Sequence, residues 1–138
     1  MQLTSHLSFS GNCEEAFSFY REIFDGELSL VRFEDTPAAQ QVQQSWRSKV
    51  VHCTLVSGDI RFCGADVLPE QYEAPQGVFM LLEPDTVAQA QALFQSLSEG
   101  GKVTMPLAET FWSPAFGMIT DRFGITWEFS CAGEGEAA

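Results

Sequence analysis

Two kinds of hydrophobic spacing follow one another along the chain. Residues 3–9 alternate, with Thr4, His6 and Ser8 on a polar face opposite Leu3, Leu7 and Phe9, which predicts a strand with one apolar side. Apolar residues at helical spacing come next and predict an amphipathic helix: Cys13, Ala16, Phe17, Tyr20, Ile23 and Phe24. Alternation returns in three stretches, 27–33, 49–57 and 60–64. The first half is therefore predicted to be β-α-β-β-β.

Short polar signals indicate where this helix begins and ends, and where two strands are joined. Asn12 followed three residues later by Glu15 fits a capping box at the helix start. Gly26 suits the left-handed residue that often follows a helix. Gly58-Asp59 is a hairpin turn between the last two strands.

The second half repeats this order. An apolar strand at 77–82 precedes Pro84-Asp85, which is predicted to cap a helix with the apolar stripe Val87, Ala90, Phe94 and Leu97. Strands are predicted at 102–105, 116–120 and 125–131. Four residues of the first helix end match the second at an offset of 74: Tyr20 with Phe94, Ile23 with Leu97, Asp25 with Glu99 and Gly26 with Gly100.

This repetition predicts an α+β fold made of two βαβββ modules, at about residues 1–66 and 76–132. They form one domain, 1–132, and residues 133–138 are interpreted as a disordered tail. Because each module has one helix for four strands, the helix covers one face of its mixed sheet. We expect the two uncovered faces to curl around a shared cleft.

The composition indicates which classes of binding partner are not expected. The net charge is −12 and only seven Lys and Arg residues are present, so nucleic acid and anionic membranes are not expected partners. The first residues lack the pattern of a signal peptide, and no apolar run approaches the ~20 residues of a membrane span, which favours a cytoplasmic protein. The four cysteines have no CxxC or zinc-finger spacing and are interpreted as reduced thiols.

A lone carboxylate stands in the last predicted strand, within DRFGITWEFS at 121–130. Asp121 to Gly124 reads as a turn, Trp127 lies on the apolar face, and Glu128 lies on the other. Glu128 is a solvated surface residue, a metal ligand or a general base. Both histidines, His6 and His52, also lie mid-strand on polar faces.

Three stretches together resemble the vicinal oxygen chelate superfamily, also called the glyoxalase/bleomycin-resistance/dioxygenase superfamily, and most closely its PhnB-like branch. They are SHLSFSGNCEEAFSFYREIFDGEL, HCTLVSGDIRFCGAD and SEGGKVTMPLAETFWSPAFGMITDRFGITWEFS. The resemblance spans about residues 3–130. It implies paired modules, a cleft that binds a metal or ligand, and a homodimer; module pairing within a chain or by swapping between chains is left open.

The resemblance also implies metal ligands. The first-strand ligand maps onto His6 and the last-strand glutamate onto Glu128. The first strand of the second module offers no histidine, because Val78, Phe79 and Met80 stand there. The ligand set is therefore incomplete by the family pattern.

With His52, these two residues form a His-His-Glu constellation that suits a divalent cation such as Zn, Ni, Mn or Fe. Without a metal, Glu128 and His52 are candidates for general acid and base.

Four further residues are candidates for the lining of a substrate pocket. Cys63 lies across the hairpin from His52, and Trp46 ends a long Gln-rich loop at 34–49 that is read as a lid, a partner contact or a flexible loop. Phe111 and Trp112 are the aromatics of ETFWSPAFG. Core or dimer packing is the competing interpretation of these side chains.

The resemblance implies two alternative functions. The first is metal-assisted isomerase, lyase or transfer chemistry on a small oxygenated metabolite. The second is non-catalytic binding of a cationic antibiotic, as in the bleomycin-resistance proteins, which the acidic charge would favour. In both cases the partner is a small molecule.

Overall fold

The computed structural model describes residues 1–132 and contains two four-stranded mixed sheets with two α-helices. The predicted α+β class is therefore confirmed. The chain divides into two compact units, Met1–Glu73 and a second that begins at Ala74. The interpretation of residues 133–138 as a tail falls outside the described residues.

The first unit has the predicted β-α-β-β-β order. Its elements are β1 (His6–Phe9), α1 (Cys13–Phe24), β2 (Glu27–Arg32), β3 (Val50–Ser57) and β4 (Ile60–Asp66). The sheet order is β1-β4-β3-β2, with β1 parallel to β4 and the other pairs antiparallel. Helix α1 covers one face of this sheet and leaves the other face uncovered.

Aromatic packing joins α1 to the sheet. The ring of Phe17 lies 6.1 Å from Phe9, 5.6 Å from Tyr20 and 5.3 Å from Phe62, measured between centroids. A Cβ at Gly64 would overlap with the same Phe17 ring, so β4 needs glycine where the helix approaches it. These contacts form the core of the unit.

The ends of α1 differ from the sequence prediction. Asn12 is the N-cap residue, but its side chain makes no capping hydrogen bond. Asp66, 3% exposed, accepts instead from the backbone N–H groups of Gly11 and Cys13. At the other end of the helix, the left-handed residue is Asp25 rather than Gly26. Gly26 is instead close to β3, where an added Cβ would come within 2.9 Å of a backbone carbonyl oxygen.

The second unit repeats the architecture. Its elements are β5 (Met80–Leu82), α2 (Val87–Ser98), β6 (Lys102–Ala108), β7 (Phe116–Thr120) and β8 (Thr126–Ser130). The order β5-β8-β7-β6 matches that of the first sheet. The helix cap is Thr86, whose side chain accepts from Gln89 N–H, so the prediction of Pro84-Asp85 as the cap is wrong.

The loop at 34–49 is ordered by short turns. Three 3₁₀ turns occupy Phe33–Asp35, Pro37–Gln41 and Gln44–Trp46. Arg47 Nε donates to the carbonyl of Ala39, which ties the two ends of the loop together. No helix among residues 1–132 is long and apolar enough to cross a membrane.

All four cysteines are free and buried, in agreement with their interpretation as reduced thiols. The Sγ atoms of Cys13 and Cys53 lie 3.6 Å apart. The hydrogen bond to Cys53, together with burial, raises the pKa of Cys13 far above its ordinary value. Cys13 is therefore a protonated core thiol rather than a nucleophile.

Candidate functional site

The uncovered face of the first sheet carries a row of polar side chains. In the strand register, Cys63 of β4 is paired with His6 of β1 on one side and with Thr54 of β3 on the other. Side chains of directly paired residues lie on the same face of a sheet. The next residue of β4, Gly64, meets α1 on the opposite face. The row therefore lies on the face that α1 leaves open.

Hydrogen-bonding atoms connect this row to His52. The Sγ of Cys63 lies 3.5 Å from Thr54 Oγ1, which lies 3.4 Å from His52 Nε2. The imidazole of His52 is stacked on that of His6, with centroids 6.2 Å apart and planes at 12°. Thus the structure brings together His6, His52 and Cys63, three of the predicted site residues. Together with Thr54, they present a thiol, a hydroxyl and two imidazoles on this face.

Arg61 extends the same face, and the sequence analysis did not single it out. The tight turn at 58–59 pairs Ser57 with Ile60, so Arg61 is opposite Val56 and lies two residues before Cys63. Its Nη1 donates to Thr4 Oγ1 at 2.9 Å. Counting residues outward from the hairpin turn would have placed Arg61 on the face of His52, because the turn fixes the register.

At its centre, the uncovered face of the second sheet has apolar rather than polar side chains around one carboxylate. Glu128 of β8 is paired with Leu81 of β5 and with Met118 of β7. Its neighbours Trp127 and Phe129 are buried on the α2 side, as predicted. Glu128 therefore occupies the place that Cys63 holds in the first sheet, but with apolar flanks.

A cluster of aromatic side chains begins on the sheet face of Glu128 and continues into the loop before β7. Phe116 pairs with Ser130, which shares the face of Glu128. The ring of Trp112 lies 5.2 Å from Phe116, and the ring of Phe111 lies 4.6 Å from Trp112. Because Phe111 and Trp112 are 96% and 45% exposed, their role is not core packing.

Trp46 lies at another place in the first unit. Its ring is next to Gly11, where a Cβ would be 3.5 Å from Trp46 Cη2. The Nζ of Lys49 also donates a hydrogen bond to the backbone carbonyl of Gly11. Among the described residues, the buried Nε1 of Trp46 has no hydrogen-bond partner. The pocket role predicted for Trp46 stays a prediction.

The side chains do not make up a conventional metal site. Within residues 1–132, no group of three or more His, Cys, Asp or Glu side chains is arranged to hold a metal ion. The near-parallel stacking of His6 on His52 also differs from two imidazoles that converge on one cation. The donor set thus does not fit a tightly bound divalent metal.

A cavity of about 530 Å³ lies between α2 and β6 in the second unit. Phe94, Leu107 and Ala115 give it an apolar floor, while Gln91, Gln95 and Glu109 lie at its polar side. None of the predicted site residues lines it.

Comparison with known proteins places the whole chain in a family. The model of the Glyoxalase/Bleomycin resistance protein/Dioxygenase superfamily matches residues 4–129. Protein YjdN of Escherichia coli (strain K12) is 29% identical over 136 residues, which cover 92% of each chain.

Solved structures agree with this match. Protein PA1353 from Pseudomonas aeruginosa is 41% identical, with a TM-score of 0.86 over 95% of this chain and 97% of that one. The PhnB protein from Bacillus cereus has a TM-score of 0.79 at 24% identity, covering 96% and 100%. The fold alone extends to FosX from Listeria monocytogenes, with a TM-score of 0.65 at 8% identity over 96% and 93%. The predicted resemblance to the superfamily is thereby confirmed, and the PhnB protein from Bacillus cereus shares the fold.

Proposed function

The chain belongs to the Glyoxalase/Bleomycin resistance protein/Dioxygenase superfamily, and we propose that it binds a small oxygenated molecule on the uncovered face of its first sheet. One observation carries the proposal: the hydrogen-bonded series from His52 through Thr54 to Cys63, with His6 stacked beside it. A structural sheet surface has no need to gather both histidines of the chain around one thiol.

The first sheet supplies polar recognition. Hydroxyl and imidazole groups act as donor or acceptor according to the ligand, so Thr54, His52 and His6 suit the carbonyl and hydroxyl oxygens of a small metabolite. Such a ligand would take hydrogen bonds that now face solvent, because His6 and His52 are exposed.

The uncovered face of the second sheet is a separate candidate surface, apolar with one carboxylate. Leu81 and Met118 flank Glu128, Phe116 lies further along the same face, and the ring of Trp112 contacts Phe116. An acceptor among apolar groups favours a ligand that offers a donor beside an apolar part, because the unpaired carboxylate is costly to cover. Glu128 would serve as that acceptor or, in a reactive complex, as a general base.

Metal-assisted chemistry is the second candidate. His6 and Glu128 both lie on uncovered sheet faces, and FosX, a fold relative, was crystallised with Mn(II). A divalent cation would polarise a ligand oxygen as a Lewis acid. The donor set among residues 1–132 does not fit this cation, so ligand binding without metal is preferred.

Binding of a cationic antibiotic has weaker support. The acidic charge of −12 would attract such a molecule. However, the first sheet presents Arg61 and two histidines on its uncovered face, and these groups do not favour a cation there.

A thermal-shift experiment on the full chain, after treatment with chelator, tests the proposal. The panel holds hydroxyketones and 2-oxo acids, then Zn, Ni, Mn and Fe(II) alone, then bleomycin. We expect an oxygenated compound to raise the Tm without metal, since a ligand that binds only the native state stabilises it. His52→Gln should reduce the shift, while Glu99→Gln at the exposed end of α2 should keep it.

The other outcomes decide between the candidates. Stabilisation that appears only with a metal and disappears in His6→Ala would establish the metal-assisted function instead. Stabilisation by bleomycin alone would establish antibiotic binding. If no compound of the panel shifts the Tm, ligand binding on the uncovered face of the first sheet is overturned.

A further inference from the structure

The uncovered face of the first sheet gathers hydrogen-bond donors in a strongly acidic protein. Arg61, His6 and His52 lie on it, whereas the whole chain carries a net charge of −12. The one carboxylate that the register puts on this face is Glu27, paired with Val56. Two strand spacings, about 10 Å, separate Glu27 from Arg61.

Arg61 is held in place without being neutralised. Its Nη1 donates to Thr4 Oγ1 at 2.9 Å, and it forms no ion pair with any carboxylate in residues 1–132. Arg32, in contrast, is paired with Glu14. A guanidinium has five N–H donors in a planar fork, so the bond to Thr4 fixes the fork and leaves the other donors for a ligand.

The neighbours of Arg61 provide further donors on the same side. Thr4 lies two residues before His6, the first residue of β1, and His6 is paired with Cys63, two residues after Arg61 on β4. Thr54 faces His6 across Cys63. Two oxygens of an anion would fit the guanidinium fork, and an oxygen of the same group would accept from the ring nitrogen of His6 that carries the proton.

We propose that Arg61, positioned by Thr4 and assisted by His6, binds the anionic oxygen group of the ligand. The inference rests on the proposed function and names its ligand class: a small molecule that bears a carboxylate or a phosphoryl group, two groups that share bidentate oxygen geometry. The apolar side chains around Glu128 are not needed for this contact.

The test is a titration of the full chain followed by two-dimensional ¹H–¹⁵N NMR. The probes are inorganic phosphate, acetate and, as a cation control, choline. We expect phosphate or acetate to shift the amide signals near Thr4, His6 and Arg61. Arg61→Gln should weaken this binding by about tenfold, the value of one charge-assisted contact, and Arg61→Lys by less, because it keeps the charge but loses the fork.

Arg21→Gln is the matched control. Arg21 is exposed on α1, which covers the other face of the sheet, and its loss changes the net charge by the same amount. Equal weakening by Arg21→Gln, or shifts by choline at the same amides, would overturn the Arg61 site. The anion that binds more tightly identifies the group as phosphoryl or carboxylate.

The failure of this inference is distinguishable from that of the proposed function. If an oxygenated compound of the thermal-shift panel binds and Arg61→Gln leaves its affinity unchanged, ligand binding stands and the anion site is wrong. If neither the panel nor the anions bind, both are wrong. Arg61 is exposed, so the variant is expected to fold, and its Tm checks this.

Discussion

The indole Nε1 of Trp127 donates to Asp121 Oδ2 at 2.9 Å, across the turn that begins β8. The other carboxylate oxygen, Oδ1, accepts from the backbone N–H groups of Phe123 and Ile125. One buried carboxylate thus holds both the turn and the orientation of the strand. With Trp127 fixed on the α2 side, the alternation of β8 leaves Glu128 on the uncovered face.

Replacement of Asp121 by alanine should destabilise the protein strongly. The change removes the acceptor of three donors in a buried region, and the expected loss in the free energy of unfolding is about 2–4 kcal/mol. Urea denaturation measures it. Asp85→Ala, at an exposed position before α2, should cost less than about 0.5 kcal/mol. A loss of equal size in both variants would contradict the role of Asp121.

Asp66 should matter more to α1 than its own N-cap residue does. Asp66 accepts from Gly11 and Cys13 N–H at the helix start and from Val50 N–H in β3. We expect Asp66→Ala to cost about 2–4 kcal/mol, since these donors lose their partner. Asn12→Ala should cost less than about 0.5 kcal/mol, because its side chain makes no capping bond. A large effect of Asn12→Ala in urea denaturation would refute this assignment.

Periodicity predicted the elements well, and local signals predicted the caps poorly. The apolar stripe of α1 and the hairpin at 58–59 depend on neighbours in sequence, and both are found as predicted. The acceptor at the start of α1 is Asp66, more than 50 residues away from Gly11 and Cys13. No pattern near Asn12 could reveal an acceptor contributed by β4.

The candidate site likewise has one part that the sequence predicts and one part that it does not. The face and row of Cys63, Thr54 and Arg61 follow from strand alternation and the hairpin register, both of which can be counted in the sequence. The stacking of His6 on His52 depends on the side-chain rotamers of residues on β1 and β3, with β4 between them. Rotamers of that kind are set by three-dimensional packing, so the sequence could not predict the stack.

Gly64→Ala should destabilise the first unit through a clash with Phe17. The added Cβ would overlap with that ring, and overpacking of a core usually costs about 1–3 kcal/mol. Phe17→Leu in the same chain removes the ring and should relieve part of the clash. The double variant should therefore lose less stability than the sum of the two single variants, as a double-mutant cycle would measure. Strict additivity would show that the ring is not the obstacle.

The Glu14–Arg32 pair should give stability that depends on pH. Arg32 Nη1 and Nη2 donate to the two carboxylate oxygens at 2.9 and 2.7 Å, and this pairing lowers the pKa of Glu14. A lowered pKa means that the contribution is present above the ordinary glutamate pKa and is lost as the pH falls through the folded value. Because the pair is exposed, Glu14→Gln should cost only about 0.5 kcal/mol at pH 7, and the difference from the unmodified chain should shrink in acid. Glu15→Gln is the matched control, since Glu15 is the exposed neighbour on α1 and forms no ion pair among residues 1–132. Urea denaturation at pH 7 and in acid should show no such convergence for it.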